Sequence, residues 1–353
     1  MNNLCVLPWI HLATTPTGKL RVCCNAQSSS NYRFDQIEEY KENYLKSIKN
    51  EMLENKKPTV CKRCFNEESF GLKSARLAYN EKFSVHLKKI KNNEKTEIVY
   101  LDLRLGNSCN LRCRMCNGYS SSAWQEDHQK MWNEQTKLYN WDKNQEFFVQ
   151  LKNNLQFIEA IYFTGGEPLL NPHHIDILQW LIDNNKTNIE LKYNTNLTVL
   201  PDKVLKLWEK FSNLKLHLSV DGIENVYEYI RYPAKWNQFL KNYETIKQLK
   251  AEIKIHCTVQ ITNIEFLKEL DNWCDREIYW NILEHPDYLN LKHISFDKKQ
   301  YLIDYYSENQ FDKIKKYLLN IKEGNWNNFL ENNNKLDQLR KQDFFKLTKL
   351  FKS

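Results

Sequence analysis

Three cysteines, Cys109, Cys113 and Cys116, stand in the run Asn107-Ser108-Cys109-Asn110-Leu111-Arg112-Cys113-Arg114-Met115-Cys116. The spacing C-x3-C-x2-C lets three thiolates face one small volume. An iron–sulfur cluster that only carries electrons is normally held by four cysteines. Three leave one iron open to another molecule. Zinc is the competing occupant of clustered thiolates.

A strand-like run, Glu97–Leu105, leads directly into the triad. Further on, Tyr162-Phe163-Thr164 ends another such run and is followed by Gly165-Gly166-Glu167-Pro168. Cysteine triad plus Gly-Gly-Glu-Pro resembles the radical S-adenosylmethionine (SAM) enzymes. The resemblance implies a 4Fe-4S cluster on Cys109, Cys113 and Cys116, with SAM chelated to its open iron. It implies reductive cleavage of SAM and abstraction of a substrate hydrogen by the 5′-deoxyadenosyl radical. A low-potential electron donor of the flavodoxin or ferredoxin type is the implied partner. Carried over by position, Gly165, Gly166, Glu167 and Pro168 would line the methionine part of SAM. Met115 stands where the family commonly has an aromatic residue against adenine. Asn194, Ser219, Asp221 and Arg231 are the candidates for the ribose and the methionine carboxylate. Turn and helix capping accounts for the same residue types.

The amino-terminal stretch carries a second pattern. Cys5 is followed by Gly18 and Cys23 as C-x12-G-x4-C, and after an intervening segment come Cys61 and Cys64 as C-x2-C. This resembles the shortened SPASM module called twitch, which implies one auxiliary 4Fe-4S cluster on Cys5, Cys23, Cys61 and Cys64. Cys24 adjoins Cys23 and could substitute for it. The module usually follows the barrel, whereas here it precedes it. Structural zinc fits the same four thiolates, and thioredoxin-like redox chemistry at Cys61 and Cys64 is a weaker rival.

The elements that must position these residues follow from periodicity. Strands are expected at 98–105, 158–163, 188–193, 214–220, 253–260 and 277–283. Helical runs fall between them at Pro172–Asp183, Pro201–Phe211, Trp236–Leu249 and Ile264–Asn272. Alternation of this kind means an α/β fold with a parallel sheet, and six units suit a partial (β/α)6 TIM-like barrel. Functional groups then gather after the strand C-termini, where both motifs lie. The expected organisation is a small cysteine-rich twitch domain over 1–75, a helical linker over 76–95, the barrel over 96–285 and a helical extension over 286–353. Within it, helical patterns cover about Asp35–Asn55 and Glu67–Ile90. The tail Leu339–Lys352 reads as a basic amphipathic helix, either a membrane-surface or partner helix or, as the preferred reading, a terminal helix packed on the barrel with its lysines in water.

The chain has 353 residues, a net charge of +7 and ten cysteines. The lysines are spread rather than clustered, which gives no argument for nucleic acid. No apolar run approaches a membrane span, and the start Met1–Pro8 lacks the features of a signal peptide. A cytoplasmic setting is therefore expected, where clustered cysteines bind metal more often than they pair. The resemblance leaves the substrate open between a peptide or protein and a sugar or other small molecule, with peptide modification leading. The non-catalytic alternative is a zinc-stabilised binding protein. Cys257, late in a strand, is a weak candidate hydrogen-atom donor; buried cysteine otherwise serves as a small apolar filler.

Overall fold

The computed structural model describes residues 3–69, 71–143 and 145–352. It is an α/β fold with eight strands in one mostly parallel sheet. The strands are β1 (His11–Thr14), β2 (Leu20–Arg21), β3 (Tyr100–Arg104), β4 (Ala160–Thr164), β5 (Glu190–Thr195), β6 (Asn213–Ser219), β7 (Ala251–Val259) and β8 (Ile278–Ile282), in the order β2-β1-β3-β4-β5-β6-β7-β8. All six expected strands form. By contacts the chain divides into two compact units, one of residues 1–108, 138–193 and 206–214, the other of the remainder.

In the first unit, β3, β4 and β5 pair in parallel, with Leu101 opposite Ile161 and Ile161 opposite Leu191. Strand side chains alternate between faces. Leu101, Leu103, Ile161, Phe163, Leu191 and Tyr193 share one face, each with 0% exposure. Burying each such side chain stabilises the unit by roughly 1.5–3 kcal/mol. The covering helix Pro172–Asp183 opens with Asn171, whose side chain accepts the His173 amide at 2.8 Å, and with Pro172 at its first position, a favoured helix start. His174 and Trp208 close over Phe163 and Tyr193 with ring centroids 4.9–5.8 Å apart. The opposite face is different. It presents Asp102, Arg104, Tyr162, Thr164 and Lys192, of which all but Asp102 are half-buried.

The cysteine-rich stretch also contributes strands. β1 runs parallel to β3, with Ala13 opposite Asp102, and β2 pairs antiparallel with β1. The expected helix over 35–55 forms as continuous helical turns from Phe34 to Leu53, with a wider π turn at Tyr40–Leu45. The expected single run over 67–90 is instead broken into Lys62–Ser69, Ala75–Lys82 and Ser84–Lys91. Ser74 caps the second piece through its hydroxyl, which accepts the Leu77 amide at 3.3 Å, so the chain restarts rather than continues there.

In the second unit, β7 pairs in parallel with β8. Ile253, Ile255, Cys257 and Val259 are buried along one face of β7. The long helix Trp326–Arg340 ends at Lys341, whose φ of +54° is left-handed. The expected helix over 339–352 therefore does not form as one piece; a short turn of helix, Phe344–Leu347, replaces it.

Candidate functional site

The triad loop belongs to the second unit, and its backbone is clamped there. The Arg112 amide donates to Tyr232 O at 2.6 Å and the Arg114 amide to Ile230 O at 2.9 Å. The Trp124 indole donates to Cys113 O at 2.8 Å, and the Ser121 hydroxyl donates to Leu111 O at 2.6 Å. Cys116 packs against Trp124, Met131 and Leu336. Two residues between the cysteines carry charge inward. Arg112 pairs with Asp127 at 3.1 Å, and Asp127 also accepts Arg340 Nε at 3.0 Å. Arg114, with no exposed surface, lies over the Tyr229 ring at 3.6 Å and pairs with Asp337. It also donates to Asn333 at 2.8 Å and to Gln342 at 2.9 Å.

N–H groups approach the sulfurs. The Leu111 amide lies 3.5 Å from Cys109 Sγ, Asn196 Nδ2 lies 3.9 Å from the same atom, and Arg231 Nη1 lies 3.8 Å from Cys113 Sγ. The Cys113 thiol is held below its ordinary range by the Cys116 hydrogen bond, with Arg231 adding to the effect against burial. A favoured thiolate beside two further thiols suits iron–sulfur ligation.

Arg231 and Asp221 are both SAM candidates by position, and they pair with each other at 2.8 Å. Asp221 also accepts the Thr258 amide at 2.7 Å and has no exposed surface. Its carboxylate is thus engaged by Arg231 and the Thr258 amide. Ser219 is half-buried at the end of β6, and Met115 is half-buried in the triad loop. The Asn194 side-chain oxygen is buried without a hydrogen-bond partner among the described residues. Cys257 has 0% exposure on the apolar face of β7, and Asn263 Nδ2 approaches its sulfur at 3.6 Å. That position is one of packing.

In the first unit, the Gly-Gly-Glu-Pro loop follows β4 and folds onto the residue before the triad. The Glu167 amide donates to Ser108 O at 2.7 Å. Gly165 has φ +119°, and a Cβ at Gly166 would lie 2.1 Å from Ser108 O, so only glycine fits. The Glu167 carboxylate is nearly buried and accepts the Leu169 amide at 3.1 Å, while Pro168 starts the short helical turn that follows.

Also in the first unit, Cys5, Cys23, Cys24, Cys61 and Cys64 line one cavity, walled by Leu7, Val22, Ala26 and Ala75. The four cysteines of the twitch-like pattern thus come together, with Cys24 as a fifth. Burial pushes the Cys5 and Cys61 thiols up to about 12 and raises those of Cys23, Cys24 and Cys64. Such thiols stay protonated unless a metal displaces the proton. Among the described residues, no three Cys, His, Asp or Glu side chains stand in closed metal-ligand geometry. The donor set and the apolar wall nonetheless suit a soft metal centre.

The buried supports Arg114, Asp127, Asn333, Asp337 and Arg340 do not stand out in the sequence. The available signal is Asn333, Asp337 and Arg340 recurring along one helical face beside Phe329 and Leu336.

With this geometry established, comparison with known proteins gives a direct result. Residues 103–274 match the family model of the Radical SAM superfamily. The matched stretch begins in β3 and includes the triad and Gly165–Pro168. An uncharacterised protein of Methanocaldococcus jannaschii is 27% identical over 228 residues, 61% of this chain and 69% of that protein. The tungsten-containing aldehyde ferredoxin oxidoreductase cofactor-modifying protein of Pyrococcus furiosus is 24% identical over 183 residues, 48% of this chain and 46% of that protein. Among solved structures, anSMEcpe with bound AdoMet aligns at a TM-score of 0.43 and 20% identity, covering 64% of this chain and 63% of that one. SuiB of Streptococcus suis bound to S-adenosylmethionine aligns at 0.43 and 14%, covering 82% and 65%. The chain thus spans less than two thirds of either solved chain and less than half of the Pyrococcus protein. Among the described residues, no helix is long and apolar enough to cross a membrane.

Proposed function

We propose that this chain is a radical SAM enzyme that modifies a peptide or protein. The observation that carries the reading is the match over residues 103–274, which contains both C-x3-C-x2-C and Gly-Gly-Glu-Pro. Cys109, Cys113 and Cys116 would hold a 4Fe-4S cluster through three thiolates. Such a cluster, with SAM on its open iron, would supply the reducing electron for SAM cleavage and so the chemistry for removing a substrate hydrogen. The protein's share is binding, orientation and exclusion of side reactions. Arg231, steadied by Asp221, favours the anionic form of Cys113. Trp124 and Arg114 hold the loop rigid from behind. Gly165 and Gly166 let backbone approach the methionine part of SAM, with Glu167 and Pro168 beside it. Asn194, Ser219 and Met115 would meet the ribose and adenine.

Cys5, Cys23, Cys61 and Cys64 would hold a second 4Fe-4S cluster in a twitch-type arrangement, with Cys24 able to replace Cys23. Four protein thiolates saturate such a cluster and favour electron transfer over direct ligation, so it would accept an electron from the substrate radical. The amino-terminal pattern resembles modules of both peptide-modifying and sugar-dehydrogenating enzymes, and peptide modification is the reading put forward.

Anaerobic reconstitution and reduction test the reading. About eight irons per chain, four for each cluster, are expected, with 5′-deoxyadenosine formed from SAM and abolished in Cys113→Ala. Bound zinc with no SAM cleavage would instead identify a metal-stabilised binding protein.

A further inference from the structure

Parallel sheets are usually apolar on both faces. The first unit departs from that rule along a single row. Pairing places Arg21 opposite Ala13, Ala13 opposite Asp102, Asp102 opposite Tyr162 and Tyr162 opposite Lys192. Paired residues point to the same face, so Arg21, Asp102, Tyr162 and Lys192 stand side by side across five strands. Arg104 follows two positions after Asp102 on the same face. Lys192 Nζ lies 4.3 Å above the Tyr162 ring.

These charges lie near one another, and all three cations act on Asp102, but none closes into an ion pair; Arg21 Nη2 donates to Cys24 O and Ala26 O, each at 2.7 Å. Three cations share the face with one carboxylate. Among the described residues, none of the four is in a salt bridge, and the buried Asp102 Oδ1, Arg104 Nε and Arg21 Nε have no hydrogen-bond partner. Asp102 is 1% exposed. Buried polar atoms are ordinarily satisfied, and unsatisfied ones of both signs on one face point to a ligand that supplies the missing partners.

We propose that this face binds an oxyanion of the substrate, a carboxylate or phosphate, with Lys192 and Arg104 as receptors and Arg21, held by Cys24 O and Ala26 O, adding positive charge at the end of the row. Asp102 accepts an N–H or O–H of the same ligand. The net positive charge selects against cationic substrates. The inference deepens the reading under Proposed function by naming a feature of its substrate, but the binding it asserts is measurable without SAM cleavage.

The test is anaerobic calorimetric titration of the reconstituted full chain at low ionic strength with inorganic phosphate and, separately, with glutarate. Wild type is expected to bind at least one, and the tighter of the two identifies the source as phosphate or carboxylate. Lys192→Met should weaken that binding at least about tenfold, whereas Lys192→Arg, which keeps the charge, should stay within about threefold. Near-UV circular dichroism establishes that each variant is folded. The proposal is overturned if neither anion binds, if folded Lys192→Met binds as tightly as wild type, or if SAM competes the anion away, which would make this the seat of the SAM carboxylate. Failure of wild type to cleave SAM would sink the enzyme reading alone, and the titration would still decide the anion site.

Discussion

Arg114, between the second and third cysteines of the triad, is held by Asp337 on the helix Trp326–Arg340, with the guanidinium fully buried. Removing one partner of a buried pair leaves an uncompensated charge, which typically costs about 3–5 kcal/mol. Asp337→Ala should therefore lower the unfolding free energy read from urea titration by an amount in that range and reduce iron retained at the triad. A loss below about 1 kcal/mol would mean that Asn333 and Gln342 carry Arg114 unaided.

Gly166 is the second point of vulnerability. A methyl group there meets the Ser108 carbonyl at 2.1 Å, and Ser108 directly precedes Cys109. Displacements of about 1 Å near reacting groups cost on the order of 100-fold in rate. Gly166→Ala should reduce 5′-deoxyadenosine formation by that order. Gly71→Ala, where a Cβ meets nothing within 4 Å, is the comparison; strained by its φ of +71°, it should affect stability more than cleavage.

Under the proposed function, the amino-terminal cysteines would separate electron acceptance from SAM cleavage. In a Cys61→Ala, Cys64→Ala double variant, iron should fall from about eight to about four per chain. Part of the SAM cleavage should survive while oxidised product disappears. Product formation at the wild-type rate would make this centre structural.

His174 gives a pH signature. Its Nδ1 donates to Asn171 O at 2.6 Å, and Nε2 has no hydrogen-bond partner among the described residues. Burial lowers its pKa to about 4 from 6.5. Between those values the unfolded chain takes up a proton that the folded chain refuses, so acid favours unfolding. The contribution is fully present above about pH 6.5 and is lost as pH falls toward 4, amounting to on the order of 3 kcal/mol. The stability difference between wild type and His174→Asn should thus shrink between pH 7 and pH 4.5. A constant difference would show that His174 does not titrate differently on folding.

Local pattern makes much of this fold legible in the sequence. The period-2 runs around Leu101, Phe163, Leu191 and Ile255 mark their strands because one face of each must be buried. The triad declares itself because its three cysteines lie within eight residues of sequence. What escapes depends on distant partners. Arg114 looks like any surface arginine until Asp337, 223 residues away, is beside it. Asp221 and Arg231 read as ligand contacts, yet each first satisfies the other. The end of the helix at Lys341 has no Gly or Pro to announce it, and β1 is too short for alternation to register.

The strand β1 also settles what can be cut away. Deleting the first 75 residues would strip the neighbour from β3 and bare a row of amide and carbonyl groups along Tyr100–Asp102. Exposed strand margins of this kind recruit other chains. A truncated fragment would therefore be expected to self-associate, so the cysteine-rich portion is no detachable cassette.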